Sequence, residues 1–147
     1  MKVLYMAFKG RNNASYQLVD LINPKERFFL TNSFSGIEKD LSTINLESYD
    51  WILMFGVNKY LKDKLVIEVK ARYNDILRET SIDYTKLYSL ISEKKIDVEV
   101  NNNASMYLCN YAYYHVLLRN QNTVFIHIPG LSKISDINKL AMLFKEK

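Results

Sequence analysis

Three apolar runs constrain this chain more than any other feature: KVLYMAF at residues 2–8, DWILMFGV at 50–57 and TVFIHIP at 123–129. Each is short and apolar at successive rather than alternate positions, the pattern of a strand covered on both faces. Between them lie segments with helical spacing. SYQLVDLI at 15–22 brings Leu18, Val19 and Ile22 together, and DYTKLYSLISEKK at 83–95 aligns Leu87, Leu90 and Ile91 behind Asp83, a fitting N-cap. SMYLCNYAYYHVLLRN at 105–120 carries Leu108, Ala112 and Val116 at helical intervals, and ISDINKLAMLFKEK at 134–147 closes the chain as an amphipathic helix. RFFLTNS at 27–33, KLVIEVKA at 64–71 and the alternating IDVEV at 96–100 add strands, and GIEKDLSTI at 36–44 is a weaker helix. Strands separated by helices predict one α/β domain over residues 1–147, layered around a mostly parallel, mixed and twisted sheet.

Composition narrows the function classes. With 20 Lys and Arg against 16 Asp and Glu, the formal charge is +4, which raises the question of nucleic acid. The basic residues are scattered, however. Their densest group, NKYLKDKLVIEVKAR at 58–72, interleaves Asp63 and Glu68 and reads as a solvated face, so no nucleic-acid partner is expected. A single cysteine excludes an internal disulfide framework, MKVLYMAFKGRNN turns polar too quickly for a secretory signal, and no apolar run is long enough to span a membrane. The expectation is a cytoplasmic protein without membrane association. One cysteine and two histidines offer no metal-ligand spacing, and four glycines write neither a P-loop nor a dinucleotide fingerprint, so no metal or cofactor is expected.

Chemistry then rests on a few side chains. Cys109 follows the turn-forming NNNAS and falls in the first turn of the predicted helix. There the helix dipole and free amides favour a thiolate and an apparent thiol pKa below the ordinary cysteine value of about 8.5. The alternative is a small apolar residue that simply packs. His127 ends a buried strand just before Pro129, where open α/β sheets place their ligand crevice. Glu68 interrupts the apolar LVIEV, where a buried carboxylate needs a partner unless it faces solvent on an edge strand. His115 falls among Tyr113, Tyr114, Val116 and Leu117 and reads as packing. A cysteine nucleophile needs a base and an orienting acid, and Glu68, Cys109 and His127 supply that set.

These segments resemble the type I pyroglutamyl peptidases, or pyrrolidone-carboxylate peptidases, a family of cysteine peptidases. ASMYLCNYAYY is similar to the family's nucleophile motif S-x-x-A-G-x-Y-x-C-N with its tyrosine-rich continuation, and VFIHIPGL is similar to its F-I-H-V-P histidine motif. FGVNKYLKDKLVIEVKARYNDILR resembles the stretch leading from a V-G strand end to the glutamate of E-R-V-A, so that Glu68 matches the acid and Ala71 the alanine after it. Arg78 then matches an arginine that the family places near its site. Two departures are local. Ser105 stands where the motif has glycine, and AFKGRNN replaces the aromatic G-F-x-P-F-G loop, leaving Phe8 as a wall of the pocket.

The resemblance implies an α/β/α sandwich and an enzyme that removes an N-terminal pyroglutamyl or similar small acyl group. In it Cys109 is the nucleophile, His127 the base and Glu68 its orienting partner, with Phe8, Arg78 and Leu108 binding the substrate. The implied partner is a small peptide with a blocked N-terminus, and the family's habits leave room for a homo-oligomer. The competing reading is an inactive relative that keeps the fold as a binding or assembly module.

Overall fold

The computed structural model describes residues 1–104 and 107–145. A six-stranded sheet has the order β2-β1-β3-β8-β4-β7, built from β1 (Val3–Phe8), β2 (Arg27–Leu30), β3 (Trp51–Val57), β4 (Lys64–Glu68), β7 (Asp97–Asn101) and β8 (Thr123–Ile128). β2, β1, β3 and β8 run parallel, and β4 is antiparallel to β8 but parallel to β7. The sheet is therefore mixed and mostly parallel, as the sequence predicts.

Helices cover both faces. α1 (Ala14–Ile22), α3 (Tyr84–Glu93) and α5 (Ile137–Phe144) close one apolar layer, in which Leu18, Val19, Ile91 and Phe144 meet Phe55, Ile67 and Ile126. α2 (Phe34–Leu41) and α4 (Leu108–Arg119) close the other, where Ile37, Ala112, Tyr113 and Val116 meet Met6, Met54 and Phe125. The two faces follow from handedness. β1 to β2 and β2 to β3 step in opposite directions across the sheet, so right-handed crossovers put α1 and α2 on opposite sides. Asp83 caps α3 as expected, and Asn13 caps α1 and Ser33 caps α2 in the same way, each through a side-chain oxygen accepting a first-turn amide.

Three elements differ from the sequence reading. KLVIEVKA is not one strand: it breaks at Val69 into β4 and β5 (Lys70–Tyr73), and β5 pairs with β6 (Ile76–Glu79) in an antiparallel hairpin outside the main sheet. Its two-residue turn places Asn74 at a φ of 53°, the left-handed conformation that asparagine tolerates in tight hairpins. Gly56, which a sequence reading takes as the stop of the DWILMFGV strand, lies within β3, in register with His127. α4 begins at Leu108, and Ser105, where the sequence reading starts this helix, lies outside the described residues. Among the described residues no helix is long and apolar enough to cross a membrane.

Candidate active site

Alternation of side chains along the strands sets the site. In β8, Val124, Ile126 and Ile128 face α1 and α5, so Phe125 and His127 face α4. In β4, Leu65 and Ile67 take the first face, which turns Glu68 to the second. The strands are adjacent, with Val66 opposite His127, and the acid and the imidazole meet under the N-terminus of α4. His127 Nδ1 lies 2.7 Å from Glu68 Oε2. Both residues are more than nine-tenths buried, at 8% and 7% exposure.

Glu68 is satisfied twice over, because Asn101 Nδ2 donates to its other oxygen, Oε1, at 2.8 Å. Asn101 is itself held by the Asn103 carbonyl and accepts from the Asn103 amide. A carboxylate on Nδ1 fixes the ring's orientation and its tautomer, leaving Nε2 with the lone pair. This is the arrangement a general base requires.

Cys109 is the second residue of α4, on the side facing the sheet. Its N-cap, Tyr107, contributes no side-chain hydrogen bond, and Tyr111 is the first amide to bond back along the helix, to the Tyr107 carbonyl at 3.0 Å. Among the described residues the earlier amides of the turn have no backbone partner, which suits them to a developing negative charge. Gly56 makes room for the sulfur: a Cβ at that position would lie 2.9 Å from Cys109 Sγ and 2.5 Å from the Phe125 ring. Glu68, Cys109 and His127 line one cleft together with Lys70, Asn110, Tyr113 and Phe125. The cleft measures only about 10 Å³, the space of a single water.

The electrostatics run opposite to the sequence-based expectation. Burial, assisted by the Glu68 carboxylate, pushes the Cys109 thiol up to about 12 from 9.0. Desolvation outweighs the helix terminus because the sulfur lies against Gly56, packed on the apolar layer that contains Phe125. The resting state is a neutral thiol. Among the described residues no hydrogen bond joins it to His127.

Of the other sequence candidates, Phe8 is buried in the layer beneath α2 and α4, and Leu108 packs on the edge of that layer. Neither lines the cleft. Arg78 does not line it either: it stands in β6 with its guanidinium 5.5 Å from the centre of the Tyr114 ring, and its buried Nε has no partner. Ala71 is fully buried against α4, and His115 stacks among Tyr73, Tyr111 and Tyr114.

Sequence reasoning passed over three residues that build the site. Asn110 accepts from the Arg72 amide at 2.9 Å and donates to the Arg72 carbonyl at 2.6 Å, continuing the edge of β5 as a strand would and fastening the hairpin beside the thiol. Tyr113, one turn after Cys109, donates to the Glu68 carbonyl at 2.8 Å. Asn101 supports the acid. The first two stand in CNYAYY, so their spacing from the cysteine was a usable signal; Asn101 carried none.

No family model matches the chain, and no curated protein matches it in sequence. Solved structures do match. The pyrrolidone carboxyl peptidase of Thermus thermophilus superposes with a TM-score of 0.81 over 96% of this chain and 95% of that one, at 17% identity. This chain has the pyrrolidone carboxyl peptidase fold. The enzyme of Fervidobacterium islandicum AW-1 matches at a TM-score of 0.79 and 18% identity over 96% and 93% of the two chains. Pyroglutamyl peptidase I from Bacillus amyloliquefaciens gives 0.77 and 17% over 97% and 90%. The architecture is thus shared from end to end with peptidases of this fold, while the sequences have diverged widely.

Proposed function

We propose that this protein is a cysteine hydrolase that removes an N-terminal pyroglutamyl or similar small acyl group from peptides. The observation that carries the reading is the buried 2.7 Å contact between Glu68 and His127, in the same cleft as the chain's one thiol. A carboxylate in the interior is costly to maintain without a partner, and here its pairing with Nδ1 leaves Nε2 available in the cleft that Cys109 lines.

The steps follow from the groups present. His127 Nε2 takes the proton from Cys109 as the sulfur attacks the acyl carbonyl, and the free amides at the start of α4 receive the oxyanion. Glu68 stabilises the imidazolium through Nδ1. The imidazolium then protonates the departing amine, the carbon–nitrogen bond breaks, and a thioester remains on Cys109. Water, deprotonated by His127, releases the acid and restores the thiol. Because the thiol rests protonated, proton transfer accompanies attack rather than preceding it. The narrow cleft requires side chains at its mouth to swing aside as substrate enters.

A second reading has its own support. The inward thiol and the narrow cleft are also what a fold retained as a binding module would display. Release of a fluorophore from a pyroglutamyl amide, with Cys109→Ser and His127→Ala as controls, separates the two. Turnover abolished in both variants establishes the hydrolase. No turnover from the parent on any small acyl amide, with a thiol that alkylates only on unfolding, establishes the module.

A further inference from the structure

A second cavity adjoins the cleft. It measures about 330 Å³, the lower end of ligand-sized cavities at about 300–1,000 Å³, and Asn110 lines both. Its walls are aromatic. Phe34 meets Tyr111 edge-on at 5.1 Å, and Tyr111 meets Tyr73 at 6.0 Å, so the rings hold one another in place. Yet Phe34, Tyr73 and Tyr107 remain 56%, 42% and 80% exposed. Three aromatic side chains left open around one hollow, which meets the thiol's cleft at Asn110, are arranged to receive an apolar group.

Charge surrounds the same track. Lys70 borders the cleft and Arg72 borders the aromatic cavity. They are two residues apart on β5, so alternation turns both side chains to the same side of the hairpin, about 7 Å apart along the strand. Among the described residues neither forms an ion pair. The E-R-V-A motif that the segment resembles has valine where Lys70 stands.

Resting on the hydrolase reading above, we infer that the leaving group is a single amino acid with an aromatic or large apolar side chain and a free α-carboxylate. Its side chain occupies the cavity of Phe34, Tyr73 and Tyr111, and its carboxylate meets Lys70. Covalent geometry supports this assignment. The α-carboxylate carbon of such a leaving group lies no more than about 4 Å from the carbonyl carbon that Cys109 attacks, and Lys70 lines the same cleft as that cysteine. Each further residue carries the terminal carboxylate up to about 3.5 Å farther, away from Lys70. The substrate class is therefore acyl-amino acids rather than long blocked peptides.

The first test is binding to the full chain carrying Cys109→Ala, followed by calorimetry or NMR with N-acetylphenylalanine, its primary amide and N-acetylalanine. The free acid should bind about tenfold tighter than the amide, as expected for one charge-assisted hydrogen bond, and tighter than N-acetylalanine. Lys70→Gln should equalise acid and amide, and Tyr73→Ala should erase the preference for phenylalanine. Equal binding of acid and amide, or binding of neither, overturns the inference. Turnover of pyroglutamyl-phenylalanine and its amide by the parent keeps the two claims apart. Selective binding without turnover overturns the hydrolase reading alone, and turnover that ignores the carboxylate overturns this inference alone.

Discussion

The Tyr113 hydroxyl donates to the backbone carbonyl of Glu68 at 2.8 Å, joining the helix that carries the nucleophile to the strand that carries the acid. Tyr113 is four residues after Cys109, so both side chains descend from the same face of α4 onto the sheet. This bond sets the height of the thiol above the Glu68–His127 pair. Tyr113→Phe should remove it while keeping the ring's packing against Phe125. The expected cost is about 1 kcal/mol, or about 2–4 °C in melting temperature for a chain of this size. Activity should fall by more than the stability loss explains, and thermal melts beside steady-state rates provide the comparison.

Gly56 predicts a second effect. A methyl group there would stand 2.5 Å from the Phe125 ring and 2.9 Å from Cys109 Sγ, inside a strand paired on both sides. Neither the ring nor the helix can withdraw without opening the core. Gly56→Ala should therefore destabilise by about 1–3 kcal/mol, the usual result of overpacking, and should push the thiol toward solvent. Urea unfolding would register the first and a faster alkylation rate in the native state the second.

The layers were legible because apolar runs such as ILMF and VFIHI can only be inner strands, and because Asp83 announces its helix by capping; Asn13 and Ser33 cap theirs in the same way but were not singled out. The hairpin was not. ARYNDILR mixes charge and apolar residues with no clean alternation, and its turn is Asn-Asp, without the glycine that usually marks a two-residue loop. The candidate site shows the same division. Glu68 stood out as a carboxylate in an apolar run, and its partner lies 59 residues away on the neighbouring strand. The ionisation of Cys109 could not be read in this way. A cysteine in a helix's first turn can face the helix axis or the core, and only the packing of Gly56 and Phe125 decides between them.

That packing has a pH signature. The thiol is held at about 12 in the folded chain against 9.0 for an unperturbed cysteine. Below pH 9 both folded and unfolded chains carry the proton, and the contribution of the buried neutral thiol is fully present. Between 9 and 12 the unfolded chain loses its proton first, so stability falls as pH rises through that window. Denaturant midpoints should decline above pH 9 in the parent and decline less in Cys109→Ala. Iodoacetamide labelling of the native protein should stay slow at pH 8, whereas the unfolded chain should label with an ordinary inflection near 9.0.

The role of Glu68 is open to a variant that preserves shape. Glu68→Gln keeps an oxygen and a nitrogen where the carboxylate oxygens were, but it removes the charge that stabilises the His127 imidazolium. The amide also has to choose between two neighbours. If its oxygen accepts from Asn101, its NH₂ faces His127 Nδ1, which then serves as acceptor; the proton moves to Nε2, and the base is lost toward Cys109. If the oxygen faces His127 instead, the NH₂ is opposed to the Asn101 NH₂. Either outcome should lower kcat by about 10²–10⁴ with little change in KM, the pattern of a group that acts only in the transition state. Asn101→Asp should produce a comparable loss by setting a second carboxylate against the first, and a partial return of activity at lower pH, where one proton is shared between them, would separate that electrostatic effect from misfolding. Rates of the parent and both variants between pH 5 and 8, with circular dichroism to check the fold, would settle whether the carboxylate orients and charges the histidine or merely fills the space beneath α4.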